Sequence, residues 1–169
     1  MSMVVAMLIS ACAGYSGSDL KPGASSLADV LASMGEPALR WKDADGREQL
    51  AYPRGPQGTE TFMAHIAPNG RLERIASVLN PEHFARIEPG KSDKAAVLRV
   101  LGPQQPQLTV YFGHGDELVW KWRFCDVFSR QALFSVVFDA RTDIVRSTYQ
   151  RPDYRFPGGE VPSCGQTRR

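Results

Sequence analysis

Three histidines, His65, His83 and His114, and three cysteines, Cys12, Cys125 and Cys164, are the side chains best suited to metal or nucleophilic chemistry. Their spacing argues against both. There is no HExxH, no two histidines fall at helical ligand spacing, and no CxxC pair exists to start a zinc site. Gly14-Tyr15-Ser16-Gly17 stops short of the Gly-x-Ser-x-Gly elbow that strains a nucleophilic serine into position. Gly113-His114-Gly115-Asp116-Glu117 gathers a histidine and two carboxylates between glycines, but Gly with Asp between two strands is ordinary turn chemistry. Cys125 stands between Phe124 and Asp126, neighbours that disfavour a thiolate. The expectation is a protein that performs no chemistry and needs no cofactor or metal.

The cysteine with a readable chemical fate is Cys12. The run Met3 to Ile9 is apolar but too short to span a bilayer, and it suits the hydrophobic region of a secretory signal. It ends in Ile9-Ser10-Ala11-Cys12, which resembles the bacterial lipobox, where two small residues precede the Cys whose thiol takes the lipid. The pattern lacks a basic residue ahead of the apolar run, as expected if residues 1–11 are a signal remnant with a truncated N-terminal region. The alternative is a buried N-terminal strand carrying an incidental Cys. Residue 13 is Ala and not Asp, which by resemblance to sorted lipoproteins directs the chain to the outer membrane, facing the periplasm, with residues 12–20 as lipidated Cys and tether. In that oxidising compartment Cys125 and Cys164 either pair in one disulfide or remain two thiols, one buried and one in the tail.

Composition supports a folded exported body. The 169 residues are 43% apolar and 22% charged, enough for one compact body or two small ones. The net charge of +2 arises from 20 basic and 18 acidic side chains spread along the chain, without the basic clustering that nucleic acid demands.

The elements that must carry this body come in two sets. Pro22 to Gly35 realigns with Pro89 to Gly102 at a constant offset of 67, with seven of fourteen positions identical, the signature of a tandem duplication. Leu27, Val30, Leu31 and Met34 fall on one helical face, as do Val97, Leu98 and Leu101. Ser26 with Asp29 is the expected capping pair of the first helix and Ser92 the expected N-cap of the second, while Gly35 and Gly102 stand at the C-caps. Such short helices need a sheet to bury their stripes. Strands are expected at 50–53, 61–66 and 72–79 in the first copy, with a Pro68-Asn69-Gly70 turn, and at 109–112, 118–124, 133–139 and 144–149 in the second. Asn80-Pro81 opens a further short helix with Phe84 and Ile87 as its apolar residues. The fold class is therefore α+β: two tandem units, 21–79 and 80–150, of short helices on three- to four-stranded antiparallel sheets, followed by a tail, 151–169, that stays loose unless Cys164 ties it down.

The lipobox, the Pro-Gly-x-Ser start, the Val-Leu pair and the Gly-terminated helix before aromatic strands resemble the SmpA/OmlA, or BamE-like, family of outer-membrane lipoproteins. Gly23, Ser25, Val30, Met34, Gly35 and Pro37 meet that family's pattern in the first copy, and Gly90, Ser92, Val97, Leu101 and Gly102 in the second. Two departures stand out: Ala24 or Lys91 replaces the Met after Gly, and Pro103 follows Gly102 directly. As a tandem pair with sheets side by side, the architecture is similar to the β-lactamase inhibitory protein. The resemblance implies a protein-binding or scaffold module of the envelope, with the outer-membrane β-barrel assembly machinery or lipid headgroups as partners.

Trp120, Trp122 and Phe124 alternate with Val119, Lys121 and Arg123, and Phe134, Val136 and Phe138 with Leu133, Ser135 and Val137. One face is expected to be aromatic and buried, the other mixed and exposed. The candidate contact face is then Met63, His65, Lys121, Arg123, Leu133 and Val137; the alternative is a solvated face with no partner. A second expectation is an inhibitor of a periplasmic hydrolase, with Tyr111-Phe112-Gly113-His114-Gly115-Asp116 as the inserted loop.

Overall fold

The computed structural model describes residues 16–55, 58–154 and 161–164. The molecule is α+β, with two antiparallel four-stranded sheets and few helices. Sheet 1 runs β1 (Leu39–Lys42), β2 (Glu48–Arg54), β3 (Glu60–Ile66), β4 (Leu72–Ser77) in sequence order. Sheet 2 repeats that order with β5 (Val110–Phe112), β6 (Glu117–Cys125), β7 (Gln131–Asp139) and β8 (Val145–Pro152). Helix α1 (Leu27–Met34) precedes sheet 1; α2 (Pro81–Phe84) and α3 (Lys94–Leu101) precede sheet 2. Strand β1 is additional to the strands expected from the sequence, whose bounds agree with the observed ones within a few residues.

The helix starts follow from side-chain chemistry. Ser26 and Asp29 form the expected capping box of α1, and Asn80 caps α2 with Pro81 at its first turn. The cap of α3 is Asp93 and not Ser92, because the Asp93 carboxylate accepts from the Ala96 N–H at 2.7 Å. Ser92 is engaged one residue earlier, its hydroxyl accepting from the Glu88 N–H at 2.9 Å. Ser25 does the same for the Lys21 N–H, also at 2.9 Å. The parallels continue in the backbone. Gly23 donates to Leu72 O as Gly90 donates to Val145 O, and Leu72 donates to Ser25 O as Val145 donates to Ser92 O. Gly35 and Gly102 close their helices at φ 78° and 74°, in an extended region open only to glycine.

Each helix buries its apolar stripe. Val30 and Met34 of α1 pack on Leu50, Tyr52, Ala64, Ile66 and Leu72 of sheet 1. Val97 and Leu101 of α3 pack on Trp122, Phe134 and Phe138 of sheet 2, joined by Phe84, whose ring stacks on Phe134 at 4.0 Å. At roughly 25 cal/mol per Å² of apolar surface, each fully buried aromatic ring contributes about 2 to 3 kcal/mol, which is how helices of eight residues become stable.

Sheet 1 is covered on both faces. The face turned away from α1, carrying Ala51 and Met63, meets the C-terminal end of α3: a Cβ on Gly102 would stand 2.8 Å from Thr61 Cγ2 and 3.4 Å from Ala51 Cβ. Gln49 Nε2 donates to Arg99 O at 2.6 Å, and the Arg99 guanidinium lies over the Trp41 ring while pairing with Asp43 at 2.5 Å. Helix α3 therefore lies between the two sheets.

At the ends, the tether expectation changes and the condition set on the tail is met through Cys164. The stretch Ser16 to Leu20 is docked and is no free tether: Gly17 is buried, with Ile75 and Met34 so close that a Cβ would clash, and Asp19 accepts from Ser33 Oγ at 3.0 Å. The tail is tied down as well. Asp153 N–H donates to Gln131 O, Gln131 N–H to Pro162 O, and Cys164 N–H to Ser129 O.

Candidate interaction surface

Cys12, expected from the sequence to carry a lipid, lies outside the described residues. Cys125 and Cys164 form a disulfide, with Cα atoms 5.9 Å apart, closing a separation of 39 residues. It pins the end of the described chain to β6, beside the β6–β7 turn.

The six proposed contact residues do not form one surface. Met63 is 1% exposed, because the face of sheet 1 it occupies is the one that meets α3. His65 lies on that same face, half-buried, with Nε2 3.3 Å from Arg74 Nη2. The other four share the outer face of sheet 2, opposite the aromatic core, yet Leu133 and Val137 are buried at 3% and 7%. They sit in the central strand, between β6 and β8 side chains, and Leu133 adjoins Gln131, where the C-terminal segment is fastened. Arg123 is not free either. Its Nε donates to Asp153 Oδ2 at 2.8 Å and its Nη1 to Gln105 Oε1 at 2.8 Å, with 13% and 7% of the Arg123 and Asp153 side chains exposed. A buried pair of this kind leaves a stranded charge when one member is removed, at a cost of about 3 to 5 kcal/mol, so Arg123 holds the tail in place. Only Lys121 keeps the accessible position expected of it, half-buried in a cross-strand row with Ser135 and Tyr149.

The accessible surface of sheet 2 is consequently a rim and a turn. Tyr149 and Phe112 remain 44% and 51% exposed, and the outer face receives no α-helix among the described residues. The β6–β7 turn projects Val127 and Phe128, 84% and 72% exposed, which alternation could not single out because they belong to a turn and not a strand. That turn is rigidly built. Asp126 Oδ1 accepts from the Phe128 and Arg130 N–H groups at 2.9 and 2.8 Å, and the Arg130 guanidinium lies 5.0 Å from the Phe128 ring centre. These backbone donors hold the Asp126 carboxyl below its ordinary value. A groove of about 550 Å³ lies nearby at the junction of the sheets, walled by Pro53, Thr61, Pro103, Gln105, Trp122 and Arg123.

The Gly113 to Glu117 string behaves as turn chemistry. It forms a short 3-10 turn with Asp116 in the left-handed region at φ 48°, and its carboxylates pair with arginines: Asp116 with Arg141 at 3.2 Å, Glu117 with Arg146 at 3.5 Å. Tyr111, 59% exposed, reaches Asp116 through its hydroxyl at 3.3 Å. Among the described residues no group of three or more His, Cys, Asp or Glu side chains could hold a metal ion, and no helix is long and apolar enough to cross a membrane.

No protein-family model, no curated protein and no solved structure matches the chain.

Proposed function

We propose that this chain is a lipoprotein of the outer membrane, anchored through Cys12 and facing the periplasm, which performs no catalysis and binds envelope proteins through the outer face of sheet 2. The partners we favour are those that assemble outer-membrane β-barrels. The observation that carries this reading is the rim of that face: Val119, Leu133, Ser135 and Val137 at its centre are buried, while Phe112 and Tyr149 remain exposed and Lys121 half-buried beside them. Exposed aromatics on a rigid sheet are the residues that dominate protein interfaces, since they bury much area at little entropic cost.

We further propose that the two sheets with their helices arose by tandem duplication in a BamE-like lipoprotein family. Supporting this are the hydrogen bonds shared at the offset of 67 residues, Ser25 with Ser92 and Gly23 with Gly90. The disulfide fits export to an oxidising compartment.

Cys12→Ala tests the anchor. The substituted protein should leave the detergent-soluble membrane fraction for the soluble periplasm, and unchanged membrane partitioning refutes the anchor.

A second reading, inhibition of a periplasmic hydrolase, is favoured by one feature, the preorganised turn that exposes Val127 and Phe128. A turn already fixed in its bound shape loses little entropy on entering a cleft. Inhibition assays against periplasmic hydrolases, with Phe128→Ala as the control, decide it.

A further inference from the structure

The first described residues and the β6–β7 turn lie at the same end of the molecule. Helix α3 runs in one sense over both sheets. On sheet 1 its Arg99 stands by Gln49 and Asp43, and Gly102 by Thr61. On sheet 2 its Lys94 pairs with Asp143, before β8, at 2.5 Å, and Gly102 O accepts from Trp122 Nε1 at 3.3 Å. The β2–β3 and β6–β7 connections therefore point the same way. Gln105 links them, with Nε2 donating to Gly58 O at 3.2 Å and Oε1 accepting from Arg123 Nη1 at 2.8 Å.

Ser16 and Gly17 enter at that end of sheet 1. They line a cavity with Phe62 and Ser77, and Gly17 packs on Met34, whose carbonyl accepts from Arg54 Nη2 at the last residue of β2 at 2.6 Å. Cys12 stands four residues before Ser16. An extended chain spans at most about 3.5 Å per residue, so a lipid on Cys12 lies no more than roughly 14 Å from Ser16.

The β6–β7 turn is suited to meet that lipid surface. Val127 and Phe128 are the most exposed large apolar residues among the described residues, and Tyr154, 57% exposed, follows Asp153, whose N–H donates to Gln131 O at the foot of the turn. Entering lipid is costly for unpaired backbone groups, and here they are largely paired already. Asp126 N–H donates to Arg130 O, Ser129 N–H to Asp126 O, and the Phe128 and Arg130 N–H groups to Asp126 Oδ1. Arg130 lies over the Phe128 ring and pairs with Asp126 at 3.3 Å. A cation just behind an apolar tip, and a tyrosine with a polar end, both suit the level of lipid headgroups.

We propose that Val127, Phe128 and Tyr154 dip into the lipid surface that holds the Cys12 anchor, a proposal that rests on the anchor reading given above. The acyl chains keep the protein at the membrane and the turn fixes its orientation. Tyr111 and Phe112, at the opposite end of sheet 2, then point away from the bilayer. The outer face of sheet 2 stands sideways to the bilayer, open to a partner. A turn buried in lipid is not available to a catalytic cleft.

The test couples the mature chain, beginning at Cys12, to a maleimide-bearing phospholipid in vesicles of phosphatidylcholine and phosphatidylglycerol. Cys125 and Cys164 are tied to each other, so the Cys12 thiol alone takes the lipid. The result is thereby independent of whether the cell lipidates Cys12, which fractionation of Cys12→Ala decides. Brominated phosphatidylcholine quenches tryptophan that enters the bilayer, and the parent chain supplies the background from Trp41, Trp120 and Trp122. Phe128→Trp and Tyr111→Trp both change exposed residues outside the core. The added signal of Phe128→Trp should be quenched several-fold more than that of Tyr111→Trp. No quenching of Phe128→Trp, or equal quenching at both positions, overturns the proposal and leaves the turn free for a cleft.

Discussion

The two sheets have the same strand order and each carries a helix on one side, α1 or α3, yet they differ in what lies on the other. The second face of sheet 1 is closed by α3, with Gly102 pressed against Thr61 and Ala51. The second face of sheet 2 is met by no α-helix among the described residues, and is strapped at one end by the C-terminal segment through Arg123, Gln131 and Cys125. Alternation in a strand says that two faces differ and does not say which one meets water. An extra covering element decides that, and α3 is that element for sheet 1.

The approach of Gly102 to sheet 1 gives the strongest way to break this comparison. Gly35 and Gly102 occupy equivalent positions with nearly equal φ, so the backbone strain of an alanine is the same at both, about 2 kcal/mol. A Cβ at Gly35 has open space, whereas one at Gly102 strikes sheet 1. Overpacking adds about 2 kcal/mol more. Gly102→Ala should therefore cost roughly 4 kcal/mol and Gly35→Ala roughly 2 in urea or thermal unfolding. Equal losses would mean that α3 does not close sheet 1.

The strap is examined by Cys125→Ser. Releasing a cross-link over 39 residues should lower stability by about 4 kcal/mol, on the loop-entropy model. It should also raise hydrogen exchange at Gln131 and Leu133, beside the tail, while leaving Leu50 and Ala64 in sheet 1 protected. Uniform loss of protection in both sheets would make the disulfide a staple of the whole fold and not of one face.

The helices and most strands are legible in the sequence because local signals agree there: a capping box at Ser26, Asn-Pro before α2, Pro-Asn-Gly before β4. The short strand β1 escapes because Leu-Arg-Trp-Lys alternates over only four residues at a sheet edge. The Asp93 cap is hidden by Ser92 next to it, a stronger candidate until Glu88 is seen to claim its hydroxyl. The contact face fares worse. Met63 reads as outward because its strand alternates, and only the tertiary approach of α3 buries it. Leu133 and Val137 are hidden by central-strand position near a strap that spacing alone cannot reveal. Val127 and Phe128 carry no periodic signal, although both are more exposed than any of the six expected contact residues.

Site-specific photocrosslinking in intact cells tests the central claim most directly, with the reactive residue placed at Tyr149 on the outer face of sheet 2 or at Ala28 on the exposed side of α1. The account predicts a discrete envelope-protein adduct from Tyr149 and none from Ala28. Lys121→Glu, in the same cross-strand row, should change stability by no more than about 0.5 kcal/mol and reduce the Tyr149 adduct several-fold. Adducts of equal yield from Ala28 and Tyr149, or a Tyr149 adduct indifferent to Lys121→Glu, would contradict the placement of partner binding on the outer face of sheet 2.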